Sequence, residues 1–236
     1  MSALFLCIDT STPTARVAIL DDQAQPRFSG EFTAERHAAQ LMPLCAEAMR
    51  SLGVTPAELG GIACGGGPGS FTGLRVGLAA AKGLALPTGV PLYVVSSLEA
   101  LALDILEAPR DGSGPSAITA VPCLDAGKGE VYVAGYVADP ERLAREAVPS
   151  ARLTPAALVV WLGEVSSPTV AGNGAARYPN ALTGAVTVDV AGPTAVSVGR
   201  LALLQRARGE AADLGSAVPF YGRPPDITVK KAGGSK

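Results

Sequence analysis

The pattern of apolar and polar positions in the first hundred residues predicts alternating strands and helices. Residues 4–8 and 16–20 are short apolar runs joined by a Thr/Ser/Pro segment, a pattern typical of a β-hairpin. Residues 62–64 and 92–95 are two further apolar runs of strand length. Between residues 36 and 52, apolar residues recur three and four positions apart, which predicts a helix with one buried face. This half of the chain therefore belongs to the α/β class.

A glycine-rich segment at residues 65–69 leads directly into a second helix, predicted over residues 73–86. Glycine and proline allow the backbone to turn sharply there and to approach another surface closely. Small residues recur every fourth position of the helix and form a smooth stripe: Gly73, Gly77 and Ala81. A helix that is apolar all round is normally covered on more than one side. We therefore expect this helix to contact its own sheet and a second surface.

The second half of the chain repeats the alternation of strands and helices. A Gly/Ser/Pro-rich stretch near residue 109 is the best candidate for a boundary between the halves. Residues 117–124 and 130–137 predict strands, and residues 154–162 predict a helix that starts with Thr-Pro. The predicted division is an N-terminal subdomain over residues 1–108, a C-terminal subdomain over 109–216 and an extended tail over 217–236.

The two halves share a short motif at matching positions. Residues 7–10 read Cys-Ile-Asp-Thr, and residues 123–126 read Cys-Leu-Asp-Ala. In both motifs a strand ends at an aspartate, a turn of small residues follows and a second strand returns. The matching positions indicate a duplicated domain.

Composition and charge narrow the function classes. An apolar content of 48% with 17% charged residues excludes a disordered chain. The formal net charge of −2 gives no basic surface for binding nucleic acid alone. The four cysteines are scattered without a Cys-x-x-Cys pair, so we expect a reducing compartment, the cytoplasm. The longest apolar stretch is far shorter than a bilayer span, so no membrane association is expected.

Two turns contain residues that could bind a phosphate or a metal ion. The turn formed by Asp9, Thr10 and Ser11 could cradle a phosphate, and its carboxylate or that of Asp125 could hold a metal ion. The same residue types are also ordinary turn formers, and this alternative stays open. The glycine-rich segment lacks the Gly-Lys-Ser/Thr of a phosphate-binding P-loop. His37 is the only histidine, so histidine-rich metal hydrolases are excluded on ligand count unless carboxylates alone serve as ligands. We expect no metal site and no cofactor.

With these residues assembled, the chain resembles the bacterial TsaB (YeaZ) family. The most specific match is the sequence GGGPGSFTGLRVG at residues 65–77. Weaker matches are the Ile-Asp-Thr-Ser turn at residues 8–11, Glu-Arg-His at 35–37, Asp-Ala-Gly-Lys-Gly-Glu-Val-Tyr at 125–132 and Pro-Phe-Tyr-Gly-Arg at 219–223. The resemblance is close over the first hundred residues and then covers the second hairpin and the tail.

The resemblance implies a duplicated actin-like (ASKHA, ribonuclease H-like) α/β fold, with two subdomains that each contain a mixed sheet covered by helices. It implies a non-catalytic subunit that binds a TsaD-type paralogue, together with a TsaE-type ATPase. That complex transfers a threonylcarbamoyl group to N6 of adenosine 37 in ANN-decoding tRNAs, and tRNA contacts this subunit only through the complex.

The resemblance also implies that the helices at about 36–52 and 73–86 form the surface for TsaD or for a second copy of the chain. The expected interface residues are Arg36, His37, Leu41, Leu44, Cys45, Ala48, Phe71, Gly73, Leu74, Gly77 and Ala81. Asp9, Thr10, Ser11 and Asp125 would be a vestigial phosphate site. The alternative is a Mg-nucleotide-binding enzyme of the actin-like superfamily that uses Asp9 and Asp125.

Overall fold

The computed structural model describes residues 2–33, 37–109 and 117–221. The first half of the chain forms β1 (Leu4–Asp9), β2 (Thr14–Asp21), β3 (Pro26–Thr33), α1 (His37–Ser51), β4 (Gly61–Gly65), α2 (Phe71–Thr88), β5 (Leu92–Val95) and α3 (Ser97–Glu107). The second half forms β6 (Thr119–Gly127), β7 (Glu130–Asp139), β8 (Leu143–Leu153), α4 (Pro155–Gly163), β9 (Pro168–Ala171), α5 (Asn173–Arg177), β10 (Val186–Thr187) and α6 (Ala195–Ala207).

The two sheets have the same strand order and the same strand directions. The first sheet has the order β3-β2-β1-β4-β5, and the second has the order β8-β7-β6-β9-β10. In each sheet the first three strands along the chain pair antiparallel, and the last two extend the sheet in parallel. Asp9 and Asp125 lie near the ends of the equivalent central strands β1 and β6. The predicted duplicated actin-like fold with two helix-covered mixed sheets is confirmed.

Burial along the strands follows their position in the sheet. Five of the six residues of β1 and all five residues of β4 are buried, since helices cover both faces of the first sheet. The sequences of such central strands are therefore continuous apolar runs. Strand β3 lies at the edge of the sheet and alternates between exposed and half-buried residues.

The helix that follows the glycine-rich segment has defined ends. The Ser70 side chain accepts a hydrogen bond from the backbone N–H of Gly73 at 3.2 Å and caps the N-terminus of α2. Gly89, in the left-handed region at φ 69°, ends the helix. Helix α2 is therefore slightly longer at both ends than the predicted 73–86. Helix α1 agrees closely with the predicted 36–52, and Pro43 lies within it.

Two helices cover the sheet of the opposite half of the chain. Helix α6 packs on the first sheet, and their common core contains Phe5, Cys7, Ala63, Val198 and Leu201. Helix α3 packs on the second sheet, and their common core contains Leu101, Ile105, Ala120, Leu124 and Ala134. The predicted division into 1–108 and 109–216 stays a prediction, and across it each half contributes one helix to the core of the other. An amphipathic pattern identifies the buried face of a helix but not the sheet that covers it.

The segment after α6 returns to the first half of the chain. Ala212 forms an antiparallel bridge with Leu92 of β5. The backbone N–H of Phe220 donates to the carbonyl of Gly66 at 2.7 Å. The predicted tail, residues 217–236, is described as far as Tyr221, and the rest of it lies outside the described residues. In the part of the chain that the structure describes, no helix is both long enough and apolar enough to cross a membrane.

Candidate functional site

The first aspartate turn is closed by hydrogen bonds from its own chain. Asp9 is fully buried at the end of β1. Its Oδ1 accepts hydrogen bonds from the backbone N–H of Ser11 at 2.9 Å and from the Ser11 hydroxyl at 2.8 Å. The Ser97 hydroxyl donates to Oδ2 at 3.3 Å. Burial raises the pKa of Asp9 to about 6, and the hydrogen bonds from Ser11 oppose part of that rise.

The glycine-rich segment lies directly on this carboxylate. A Cβ atom added to Gly65 would lie 2.1 Å from Oδ2 of Asp9. The backbone of Ser70 donates to the carbonyl of Ser11 at 2.7 Å and fixes the segment against the turn. The Asp9 carboxylate is therefore enclosed by protein, and the space beside it does not fit a phosphate group or a hydrated cation.

The environment of Asp9 can be tested by comparing how the stability of the wild type and of Asp9→Asn depends on pH. The asparagine Oδ1 can accept both hydrogen bonds from Ser11 without a charge, and its Nδ2 would donate to the Ser97 hydroxyl instead of accepting from it. The pKa of Asp9 is about 6 in the folded chain, against an ordinary value of 3.8 for an exposed aspartate. The folded state therefore binds this proton more tightly, and the associated stability is lost as pH rises from about 4 through about 6. We expect the wild-type chain to lose on the order of 3 kcal/mol relative to Asp9→Asn over that range. Urea unfolding at several pH values measures this difference, and parallel curves for the two proteins would contradict it.

The second aspartate has a partner of its own. Arg177 Nη1 lies 2.6 Å from Oδ2 of Asp125, and the backbone N–H of Gly127 donates to Oδ1 at 3.1 Å. Asp125 and Asp9 thus hold equivalent positions in two sheets, and both carboxylates are engaged by protein groups. Ordinary turn formation, the alternative to a phosphate or metal site at both aspartate motifs, accounts for these contacts.

The small-residue stripe of α2 packs against the first turn of the same chain. A Cβ atom on Gly73 would lie 2.0 Å from the carbonyl oxygen of Thr10, and one on Gly77 would lie 2.2 Å from its hydroxyl. The Thr10 hydroxyl also donates to the carbonyl of Gly73 at 2.8 Å. These glycines are needed because the helix backbone touches the turn.

Most of the predicted interface residues take part in packing within the chain. Seven of them are buried in the folded chain: Leu41, Cys45, Ala48, Gly73, Leu74, Gly77 and Ala81. Leu44 is half-buried, and Phe71 is exposed. Arg36 and the side chain of His37 lie outside the described residues. A partner that docks on these helices would therefore contact mostly other side chains than those predicted.

The opposite side of α2 is exposed and largely apolar. We call this surface the outer face of α2; it comprises Phe71, Arg75, Ala79, Gly83 and Leu86, which are all exposed and lie three or four residues apart. Exposed Met42 and Pro43 lie on the neighbouring helix α1. Leu86 has 72% of its surface exposed, more than any other large apolar residue on α1 or α2 in the described ranges. Continuous exposed apolar surface of this kind marks protein interfaces.

An aromatic cluster stands at the start of the outer face. The Arg75 guanidinium lies 3.8 Å from the centre of the Phe71 ring, and Arg75 Nε donates to the Tyr221 hydroxyl at 3.0 Å. The Phe71 and Tyr221 rings are 4.9 Å apart. The Tyr132 hydroxyl donates to the Tyr221 carbonyl at 2.8 Å. The tail thus connects α2 with the second sheet. These contacts are not among those predicted from the sequence. The spacing of four residues between Phe71 and Arg75 on a helix does, however, favour a cation–π contact between them.

Comparisons with known proteins agree with this fold. The family model described as "TsaD: tRNA N6-adenosine threonylcarbamoyltransferase" matches residues 16–212. The TsaB protein of Escherichia coli K12 is 33% identical over 135 residues, which cover 57% of this chain and 55% of that protein. The TsaB protein of Bacillus subtilis 168 is 33% identical over 131 residues, which cover 56% and 54%. The chain thus spans about half the length of these curated relatives.

A solved structure supplies the deciding similarity. A Pseudomonas aeruginosa protein, described as similar to the peptidase YeaZ, superimposes with a TM-score of 0.79 at 30% identity. The match covers 94% of this chain and all of that one. The chain belongs to the TsaD family, in its TsaB (YeaZ) group. The resemblance deduced from the sequence is confirmed, and the aspartate turns and the outer face of α2 are features of a TsaB-type chain.

Proposed function

We propose that this chain is a non-catalytic scaffold that binds a TsaD-type paralogue, together with a TsaE-type ATPase. The complex would transfer a threonylcarbamoyl group to N6 of adenosine 37 in ANN-decoding tRNAs, in the cytoplasm. The names of its relatives support this pathway, since the E. coli and B. subtilis proteins are called tRNA threonylcarbamoyladenosine biosynthesis proteins.

The observation that carries the proposal is the outer face of α2. It combines exposed apolar residues with Arg75, a composition that suits the centre of a protein interface. A TsaD-type paralogue of the same fold can present an equivalent pair of helices, which would give a four-helix contact. A second copy of this chain is the alternative occupant, because it presents the same surface by symmetry.

The enclosed carboxylates support a scaffold over an enzyme. The alternative function, a Mg-nucleotide enzyme, would need Asp9 and Asp125 to be open to a ligand. Asp9 is instead covered by Gly65, and Asp125 is paired with Arg177. The net charge of −2 supports tRNA contact through the complex and not through this chain alone.

A reconstituted modification reaction tests the proposal. The purified chain, the TsaD-type and TsaE-type proteins, tRNA and threonylcarbamoyl-adenylate are combined, and modified adenosine is measured by mass spectrometry. We expect little product without this chain. We expect the rate to change by less than about twofold with Asp9→Asn or Asp125→Asn, since neither carboxylate contacts a reacting group. ATP hydrolysis by the chain alone that disappears in Asp9→Asn would establish the enzyme alternative instead.

A further inference from the structure

A cavity of about 610 Å³ lies between the two halves of the molecule, away from the outer face of α2. Its walls come from both sheets, from the start of α3, from the end of α6 and from the tail. Cavities of this size at the junction of two units are the usual places for small ligands. The groups that line it define the kind of ligand that would fit.

A carboxylate without a hydrogen-bond partner stands on one wall. The Ser96 hydroxyl accepts a hydrogen bond from the backbone N–H of Glu99 at 3.3 Å. The reciprocal bond of a capping box, from the Ser96 N–H to the Glu99 side chain, is not formed. Within the described ranges, no group donates to the Glu99 carboxylate. Glu99 is half-buried, and this burial raises the pKa of its carboxyl group.

Two exposed arginines, Arg142 and Arg208, line the same cavity as this carboxylate. Their positive charges lower the pKa of Glu99 and oppose the effect of burial, whereas the charge of Glu146 raises it. Neither arginine forms an ion pair with Glu99 in the part of the chain described. Arg208 Nη2 donates to the carbonyl of Glu141 at 3.3 Å. The cavity therefore holds separated charges of both signs that a bound molecule could bridge.

The remaining lining is mixed. Apolar and aromatic side chains on it include Leu98, Tyr136, Leu201 and Leu204, and uncharged polar side chains include Ser96, Ser150 and Gln205. Three arginines and three glutamates line the cavity, so their formal charges cancel: Arg142, Arg145, Arg208, Glu99, Glu146 and Glu210. A polyphosphate would meet as many negative as positive groups here. A ligand that carries one positive and one negative charge matches the lining better.

We propose that this cavity binds a zwitterion of the amino-acid class. The ammonium group of the ligand contacts Glu99, its carboxylate contacts Arg142 and Arg208, and its side chain lies on the apolar wall. Arginine suits the carboxylate because its N–H groups form two parallel hydrogen bonds to such a group. The site does not depend on the partner-binding function, because it lies between the two halves of this chain.

Direct binding to the purified full chain tests the proposal. The common amino acids are added singly at about 10 mM, and binding is measured by calorimetry and by the shift in melting temperature. We expect at least one to bind and to raise the melting temperature. Glu99→Gln should weaken that binding at least about tenfold, since it removes a charge-assisted contact. The matched control, Glu164→Gln, changes an exposed glutamate at the end of α4 and should bind like the wild type.

Ligand analogues and a second variant complete the test. For the amino acid that binds, the matching amine without a carboxylate and the matching acid without an amine should each bind at least about tenfold more weakly. Arg208→Met keeps most of the apolar stem of the side chain. It should weaken the binding of the amino acid and of the acid, but not the binding of the amine. The proposal is overturned if no amino acid binds, if the acid alone binds equally well, or if neither Glu99→Gln nor Arg208→Met changes the affinity.

Discussion

Leu86→Arg is expected to abolish the association of this chain with a TsaD-type paralogue and to leave its own fold intact. Leu86 is 72% exposed in the free chain, so the substitution should change the free energy of unfolding by less than about 0.5 kcal/mol. In the proposed complex, the arginine would be buried among apolar side chains without a partner. Such burial costs several kcal/mol, so the affinity should fall by at least about a hundredfold.

The matched control for this variant is Val160→Arg. Val160 is 67% exposed on α4, which belongs to the second half of the chain and lies outside the proposed interface. Native mass spectrometry of mixtures with the TsaD-type protein measures complex formation for both variants. Loss of the complex in Leu86→Arg alone supports the outer face of α2 as the docking surface. An intact complex with Leu86→Arg, or equal loss with Val160→Arg, contradicts it.

Gly73→Ala is expected to destabilise the chain by about 3 kcal/mol, a large effect for one methyl group. The added Cβ would lie 2.0 Å from the Thr10 carbonyl oxygen, so the helix or the turn must move. The Thr10 hydroxyl bond to the Gly73 carbonyl would be strained by the same movement. Chemical denaturation followed by circular dichroism measures the change.

Gly83→Ala, in the same helix, is the control for Gly73→Ala. Nothing lies within 4 Å of a Cβ atom on Gly83, and alanine favours a helix more than glycine does. This variant should be more stable than the wild type by up to about 1 kcal/mol. Opposite signs for the two substitutions would show that close contact at Gly73, and not helix propensity, sets its cost. Two changes of the same sign would count against that contact.

Local patterns were sufficient to predict the repeated hairpins and the main helices. The aspartates at residues 9 and 125 lie near the ends of equivalent strands because each hairpin is encoded in a few consecutive residues. The bounds of α1 and α2 likewise follow from periodicity and from capping residues such as Ser70. Hairpins and helix ends are determined by residues that are close in the sequence, so a local pattern is enough to predict them.

The orientation of α2 could not be predicted in the same way. A helix that is apolar all round has no periodic signal for its inner side. The stripe that contains Gly73 and Gly77 fits either a partner helix or a turn of the same chain. Only the position of Thr10 in the folded molecule decides between them. Tyr221 is another example, since its contact with Arg75 joins residues 146 positions apart in the sequence.

The crossed placement of α3 and α6 means that neither half of the chain is a self-sufficient module. A fragment that ends before β6 would lack α6 and would expose the apolar surface around Phe5 and Cys7. The complementary fragment would lack α3 and would expose its own sheet around Leu124. Expressed separately, both pieces should aggregate, whereas co-expression should allow them to reassemble into one particle. The two similar halves therefore form one cooperative unit that cannot be divided between β5 and β6.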